Sequence, residues 1–504
     1  MVTIPATKAK QPHITTNLEA YFEPFRRQVV GYNQYFVTPY GKQRIVYADW
    51  TASGRLYAPI EHRLSHELGP FLGNTHTETT ETGKSMTMAY HLAQKKIKQH
   101  VNAGAQDVLL LAGSGMTGAV NRLQRILGLR IPEKWAASVQ IPEAERPVVF
   151  ITHMEHHSNH TSWLETLATV ECIMPDEQGL VNLQYLNLLL EKYRSRQIKI
   201  ASVTACSNVT GVQTPYHEIA RIMHRNGGLC FVDFACSAPY IHIDMHPEGD
   251  EDAKLDAVYF SPHKFLGGPG TPGVLIFDSK LYTNKVPDCP GGGTVAWTNP
   301  WGEHKFLEDI EAREDGGTPA FLQTIKAAMA IQLKEKMGVD NMLEREKELL
   351  KILFFGLKHI PGLHILAENI EERLGVVSFY IDGLHYNLGV TLLNDRFGIQ
   401  VRGGCSCAGT YGHFLLNIPQ NTSHDITSQI DAGDLSRKPG WMRASVHPVM
   451  TNAEVQLLVD AIAELAVNHR TWAEDYEYNP HTNEFYHKAH PSATAERVAN
   501  WFEW

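Results

Sequence analysis

A lysine stands between an apolar strand and a glycine-rich turn. The run Asp256-Ala257-Val258-Tyr259-Phe260 is followed by Ser261-Pro262-His263-Lys264 and then Gly267-Gly268-Pro269-Gly270. A lysine there leaves the end of a buried strand and reaches into whatever cavity the sheet opens onto. Small polar residues beside it suit a phosphate, and glycines let the backbone come close. Partial desolvation and a cationic neighbour lower a lysine pKa and free its amine for Schiff-base chemistry. Alone, a lysine in such a turn is more commonly a surface residue. A second feature changes that balance: about thirty residues upstream, Leu229-Cys230-Phe231-Val232-Asp233 is an apolar strand ending in a carboxylate. A strand-end acid in an α/β protein sits at the ligand-binding edge. Pyridoxal phosphate needs both groups, a lysine for the imine and an acid that keeps the pyridine nitrogen protonated. Asp233 and Lys264 are the candidate pair.

Other segments carry chemistry with alternatives open. Gly113-Ser114-Gly115-Met116-Thr117 follows a strand and opens a helix, a place where backbone N–H groups hold phosphate or where the residues form an ordinary cap. His153-Met154-Glu155-His156-His157-Ser158-Asn159-His160 fits a metal site, a ring stacked on a flat cofactor, or a surface loop, although no complementary Cys or carboxylate set accompanies it. Asn208, in Cys206-Ser207-Asn208-Val209-Thr210-Gly211, suits a ligand oxygen or a turn. Arg402-Gly403-Gly404-Cys405-Ser406-Cys407 is a glycine-rich loop with two thiols, where an adjacent arginine favours thiolate. Arg443 suits a substrate carboxylate, gripped by two hydrogen bonds in a fork, or a structural ion pair.

These residues need a large scaffold, and the chain supplies one. With 504 residues there is ample length for two domains. A hydrophobic fraction of 43% and a charged fraction of 20% are those of a soluble globular enzyme. Lys+Arg 45 against Asp+Glu 55, with no polybasic run, argues against nucleic acid and anionic membrane as partners. Apolar runs are short, and Met1 to Pro12 lacks an apolar signal core. Seven scattered cysteines make no disulfide framework, which fits a reduced, cytoplasmic setting.

From Asp107 to Phe277, strand and helix patterns alternate, which predicts a mainly parallel sheet covered on both faces. Strands are expected at 107–111, 147–152, 170–174, 199–204, 230–233, 257–260 and 273–277. Helices are expected at 59–71, 85–101, 117–127, 183–196, 216–225, 319–337 and 342–359. Segments 374–382, 399–402 and 441–446 read as strands of a smaller α+β unit. The expected organisation is an arm over 1–43, a large α/β domain over 44–335, a small α+β domain over 336–470 and an aromatic, acidic tail over 471–504.

As an ordered set the motifs are specific. Glu155-His156-His157-Ser158-Asn159, Ser207-Asn208-Val209-Thr210-Gly211, Asp233, Ser261-Pro262-His263-Lys264, Pro290-Gly291-Gly292-Gly293, Glu314-Asp315-Gly316-Gly317-Thr318-Pro319, Arg402 to Cys407 and Arg443-Ala444-Ser445 occur in this order between about Tyr47 and Asn452. The chain resembles class V aminotransferase-fold enzymes of the cysteine desulfurase and selenocysteine lyase group. The resemblance implies a fold-type I, pyridoxal phosphate-dependent transferase, normally a homodimer with sites at the interface. It implies that Lys264 is the Schiff-base lysine, Asp233 the partner of the pyridine nitrogen, His156 the ring-stacking histidine and Asn208 a neighbour of the ring oxygen. Ser261, His263 and Ser114-Gly115-Met116 resemble the phosphate cup, and Thr318 would reach the neighbouring subunit's phosphate. Arg443 matches the substrate-carboxylate arginine, with Arg402 beside it, and Cys407 matches the persulfide-forming cysteine five residues after Arg402. Cys236 stands where the family often has Gln, Cys405 is an additional thiol, and the segment 412–440 is longer than expected.

The implied reaction converts L-cysteine to L-alanine, with sulfur retained on Cys407 for a protein acceptor. A carbon–sulfur lyase, an epimerase or an aminotransferase shares Lys264 and Asp233 without needing Cys407. A non-catalytic sulfur-relay scaffold needs neither the cofactor nor turnover. No metal is expected.

Overall fold

The computed structural model describes residues 17–490 and 494–503. The expectation for residues 1–16 of the arm lies outside the described residues.

Seven strands build the central sheet: β1 (Asp107–Ala112), β2 (Val148–Thr152), β3 (Thr169–Ile173), β4 (Lys199–Thr204), β5 (Leu229–Asp233), β6 (Ala257–Phe260) and β7 (Gly273–Asp278). Their order is β1-β7-β6-β5-β4-β2-β3. The ladders from β3 through β2, β4 and β5 to β6 are parallel. β7 runs antiparallel to both β6 and β1. The sheet is therefore mainly parallel, as the alternating pattern predicts. β2, β4 and β6 are buried at every position, β5 at all but its first residue and β7 at all but its last. Such continuous apolar runs are what a sheet covered on both faces requires. Helices Glu81–His100, Met116–Ile126, Leu183–Lys192, Tyr216–Arg225 and Phe321–Met337 supply covering layers.

A second, four-stranded sheet comprises β8 (Leu363–Ile365), β9 (Val376–Ile381), β10 (Arg402–Gly404) and β11 (Trp441–Ser445), in the order β8-β9-β11-β10, all antiparallel. Helices Val339–Lys358, Tyr386–Phe397 and Asn452–Trp472 pack with it. The segment 399–402, expected as one strand, divides. Ile399–Gln400 pairs in parallel with Val46–Tyr47, and Arg402 enters the small sheet. The chain changes partner at Val401, so one apolar run serves two sheets.

The segment 17–43 is structured. Helix Leu18–Arg26 buries Leu18 and Phe22, and the Arg26 guanidinium donates to the carbonyl of Val449. Thr38, on the hairpin Tyr35–Thr38/Gly41–Arg44, donates its hydroxyl to the carbonyl of Asp395 at 2.6 Å. Helical pattern 59–71 becomes a short α-helix, Ala58–His62, a π-turn, Arg63–Leu68, and a 3₁₀ turn, Gly69–Phe71. Pro70 lacks the N–H needed to continue an α-helix. The tail forms a hairpin, Tyr476–Asn479 with Glu484–His487, followed by helix Thr494–Asn500.

Candidate active site

The strand ends of the large sheet place the central pair. Asp233 closes β5, and Lys264 closes a 3₁₀ turn, Pro262–Lys264, just beyond β6. β5 and β6 are parallel neighbours in register, with Asp233 opposite Tyr259, so both side chains emerge at the same carboxyl edge. Asp233 is buried, and Oδ1 accepts the Ala235 N–H at 2.8 Å. Burial pushes its carboxyl up to about 6, against that hydrogen bond and the nearby Lys264 charge. Lys264 is half-buried, and its amine makes no hydrogen bond or ion pair among the described residues. Desolvation holds it below the usual lysine range, while Cys236 and Asp233 oppose that shift and the Arg443 and Arg402 cations add to it. Two adjacent strands thus deliver an amine that gives up its proton readily and a buried acid close enough to sense it.

His156 caps helix His157–Leu164, its Nδ1 accepting the Ser158 N–H at 3.1 Å. That bond leaves Nδ1 as the acceptor of a neutral ring. Burial, then the Lys264 charge, then His157 and Arg443, hold the ring down at about 3. An uncharged imidazole beside the lysine is suited to stacking on a flat ring rather than to ion pairing. The histidine cluster does not converge. His153 Nε2 lies 3.1 Å from the Gly179 carbonyl, His157 Nε2 accepts the Gly409 N–H at 2.9 Å, and His160 meets Thr410 at 3.2 Å. Among the described residues no group of three or more His, Cys, Asp and Glu side chains could hold a metal.

Ser261, Gly115 and His263 come together beside the lysine turn. Met116 donates its N–H to Ser261 Oγ at 2.8 Å at the start of helix Met116–Ile126. A Cβ on Gly115 would stand 3.0 Å from Ser261 Oγ and 3.5 Å from His263 Nε2. Ser114 is exposed at this helix start. Burial, with the Lys264 charge, holds His263 down at about 4. On the far side of the lysine, Gly54 donates its N–H to the His263 carbonyl at 2.9 Å, and a Cβ there would come within 1.9 Å of the Phe265 carbonyl oxygen. Only glycine lets the segment 50–54 lie this close to the lysine turn.

Arg443, on β11, is buried. Its Nη1 donates to the Asn208 carbonyl at 3.0 Å and its Nη2 to Asp49 Oδ1 at 2.9 Å. Arg402, opposite it on β10, donates Nε to Asp49 Oδ2 at 3.0 Å. Asp49 was not a candidate from sequence. It ends the same short strand run that holds Val46–Tyr47, bridges in parallel to Ser445, and clamps both arginines. The available signal was the one used for Asp233, a carboxylate ending a strand.

Cys407 is exposed and sits at φ 54°, directly after Ser406 at φ 52°. Two consecutive non-glycine residues in the left-handed region are strained and need fixing from outside. Asn208 Nδ2 donates to the Ser406 carbonyl at 2.7 Å, Trp441 Nε1 to Ser406 Oγ at 3.2 Å, and the His157 N–H to the Cys407 carbonyl at 2.7 Å. Asn208 Oδ1 and Arg443 Nε are buried without a hydrogen-bond partner. Thr318 is exposed, accepts from Asn74 Nδ2 at 3.4 Å, and shares no hydrogen bond with this group among the described residues. Its loop is anchored by Glu314, which accepts from Arg122 Nη2 at 2.9 Å and from the Tyr282 hydroxyl at 2.6 Å.

The family described as aminotransferase class-V matches residues 46–458. A probable cysteine desulfurase of Halalkalibacterium halodurans is 28% identical over 373 residues, 72% of this chain and 84% of the relative. A cysteine desulfurase of Synechococcus elongatus is 28% identical over 368 residues, 72% of this chain and 55% of the relative. Among solved structures, a cysteine desulfurase from Thermococcus onnurineus superposes with a TM-score of 0.70 at 23% identity, covering 88% of this chain and 98% of that one. The cysteine desulfurase CsdA from Escherichia coli gives 0.68 at 22% identity, covering 89% and 98%.

Proposed function

The chain belongs to the aminotransferase class-V family, and from that membership we propose that it is a pyridoxal phosphate-dependent cysteine desulfurase, converting L-cysteine to L-alanine and retaining the sulfur on Cys407. The observation that carries this reading is the hydrogen bond from Asn208 to the Ser406 carbonyl. It holds the strained Cys407 turn against the same loop whose backbone carbonyl orients Arg443. The names of the curated relatives support the same choice.

The residues present fit the cofactor. The Ser261 hydroxyl, the His263 ring and the Gly115 backbone come together where they could hold a phosphate, and the unpartnered Asn208 amide oxygen and Arg443 Nε are buried polar atoms that a ligand would satisfy. In this reading Lys264 would hold the aldehyde carbon, Asp233 would face the ring nitrogen, and His156 would cover one face of the ring. Ser261, His263 and the Ser114-Gly115-Met116 turn would hold the phosphate. When bound, pyridoxal phosphate supplies an electron sink for charge developing at the substrate α-carbon.

The chain's own groups do the rest. Arg443 and Arg402 receive the substrate carboxylate, each keeping one hydrogen bond to Asp49. Lys264, released as a free amine and already biased toward its neutral form, takes the α-proton and returns a proton to the product. The Cys407 thiolate attacks the substrate sulfur. The carbon–sulfur bond breaks, a sulfur–sulfur bond forms, and alanine leaves with a persulfide on Cys407.

The chain would act as a cytoplasmic homodimer in which Thr318 reaches the neighbouring subunit's phosphate, and the persulfide would pass to a protein acceptor. Among the described residues no helix is long and apolar enough to cross a membrane. Residues 44–335, which hold the central sheet, would form the large domain, and 336–470, which hold the second sheet, the small one.

The test is product analysis after incubation with L-cysteine. Alanine formation lost in Cys407→Ala and kept in Cys405→Ala is the expected result. Pyruvate and ammonia, unaffected by either change, would assign a lyase instead.

A further inference from the structure

The tail hairpin, Tyr476–Asn479 with Glu484–His487, has no part in the proposed reaction, yet its turn is bonded to the frame of the thiol loop. Asn483, in that turn, is buried and left-handed at φ 59°, a conformation asparagine tolerates better than most residues. Its backbone and side-chain polar groups are all engaged. Within the hairpin, its N–H donates to the Asn479 carbonyl at 2.8 Å and its Oδ1 accepts the Tyr478 hydroxyl at 2.8 Å. Outside the hairpin, its Nδ2 donates to the Tyr386 hydroxyl at 2.7 Å and its carbonyl accepts Asn387 Nδ2 at 2.5 Å. The same turn grips the 412–440 segment. Leu435 donates its N–H to the Pro480 carbonyl at 2.9 Å, and His481 Nδ1 lies 2.8 Å from the Gly433 carbonyl.

Tyr386 and Asn387 open helix Tyr386–Phe397, which His385 caps. Two glycines beside the thiol loop lie against these same side chains. Gly403 is in the middle of β10, the strand that leads into Cys405 and Cys407. A Cβ there would stand 2.4 Å from Asn387 Oδ1 and 3.2 Å from the Tyr386 ring. Gly440 directly precedes β11, and a Cβ there would come within 2.6 Å of the Tyr386 ring. Neither position has room for a side chain. Gly403 pairs with Met442 and Gly404 with Trp441, and the Trp441 indole donates to Ser406 Oγ at 3.2 Å. The two side chains that the hairpin holds therefore support both the strand entering the thiol loop and the strand that ties the loop down.

We infer, on the desulfurase reading, that the tail hairpin braces the thiol loop and that Asn483 is a positioning residue for the Cys407 step, acting through Tyr386 and Asn387. That step needs Cys407 to reach the substrate sulfur from a turn of two left-handed residues, a conformation that persists only when neighbours enforce it. Asn208 and His157 hold the turn itself. The hairpin holds the strand that delivers it. Arg402 and Arg443 have a separate tie, to Asp49. Loosening the brace therefore displaces the thiol more than the grip on the carboxylate. The tail is also held at the base of the hairpin rather than at its turn, where the Tyr40 hydroxyl donates to Asp475 Oδ2 at 2.9 Å. That second hold separates a specific brace from a general loosening of the tail.

The experiment uses the purified, cofactor-loaded full chain. Asn483→Gly keeps the left-handed backbone and its carbonyl and removes the bond to Tyr386. Tyr386→Phe cuts the same bond from the other side. Each should lower kcat for alanine formation about tenfold, the order expected for one buried hydrogen bond that positions a reacting group. KM for L-cysteine should move by less than about threefold. The double variant should fall no further than either single one, because both act on one contact. Tyr40→Phe, which loosens the hairpin at its base, should leave both constants unchanged. Hydrogen exchange of the amides at 403–408 should speed up in Asn483→Gly and Tyr386→Phe and stay as in the wild type in Tyr40→Phe. Unchanged kcat or unchanged exchange in the first two variants, or an equal loss in Tyr40→Phe, would overturn the inference. If the wild type makes no alanine, the desulfurase reading fails, and exchange at 403–408 still decides whether the hairpin braces the loop.

Discussion

Asn208 donates its amide to the Ser406 carbonyl at 2.7 Å, while its own carbonyl receives Arg443 Nη1 at 3.0 Å. One residue thus ties the large sheet to the thiol loop through its side chain and to the small sheet through its backbone. The loop it holds carries two successive left-handed residues, Ser406 and Cys407. Strain of this kind costs about 1–3 kcal/mol per residue and persists only when neighbours enforce it. Asn208→Ala removes the side-chain tie and leaves the backbone contact to Arg443 in place. The expected outcome is a fall in kcat for alanine formation of about 10- to 100-fold, an order of magnitude for each ~1.4 kcal/mol of lost positioning. KM for L-cysteine should change by less than about threefold. Steady-state kinetics on cofactor-saturated protein reads both.

Asp49 spans Arg402 and Arg443 with one oxygen each. It fixes both guanidinium planes and keeps the two cations compatible at directly opposed positions of β10 and β11. Like charges directly opposite across a ladder repel. Asp49→Asn keeps the shape and removes the charge. The expected effect is a rise in KM for L-cysteine of about tenfold or more, with a smaller change in kcat, because the two guanidiniums that would receive the carboxylate lose their alignment in ground and transition states alike. An unchanged KM would place Asp49 outside substrate binding.

Asp233 supplies a pH dependence. Burial raises its carboxyl to about 6, above its value in the unfolded chain. The stability linked to this group is therefore fully present below the ordinary carboxylate range and lost as pH rises through about 6. Facing a protonated pyridine nitrogen reverses that cost, because the ionised form then gains a partner. Retention of pyridoxal phosphate should accordingly strengthen as pH rises through about 6. Asp233→Asn should weaken retention by about tenfold or more, for a lost charge-assisted hydrogen bond, and flatten its pH profile between 5 and 7. Equilibrium dialysis at a series of pH values measures both.

Much of this arrangement is legible from the sequence for a physical reason. Asp233 ends one apolar strand and Lys264 closes the short turn just beyond the next, and in a parallel sheet strand ends converge on one edge. The pattern of apolar strands alternating with helices was enough to predict the central sheet. Asp49 was hidden because its backbone bridge is to Ser445 and the buried arginine it holds, Arg443, lies 394 residues away. No local periodicity encodes that distance. The tail hairpin was hidden for a related cause: Tyr476 and Phe485 pack against helices of the small sheet, so aromatic residues that look unplaced in sequence are contacts made late in the chain. The segment 412–440 read only as extra length. Its helix Gln420–Asp431 buries no residue and so lacks the apolar stripe that would announce it.

The account depends most on the identity of the reacting amine. Lys264 carries an amine with no hydrogen bond or ion pair among the described residues, with the buried Asp233 acid near it and the Ser261–His263 turn beside it. Purified chain supplied with pyridoxal phosphate, reduced with borohydride and digested, should carry the pyridoxyl group on the peptide containing Lys264, and Lys264→Ala should carry none. A pyridoxyl group on any other lysine of the wild type, or on none, would contradict the central claim.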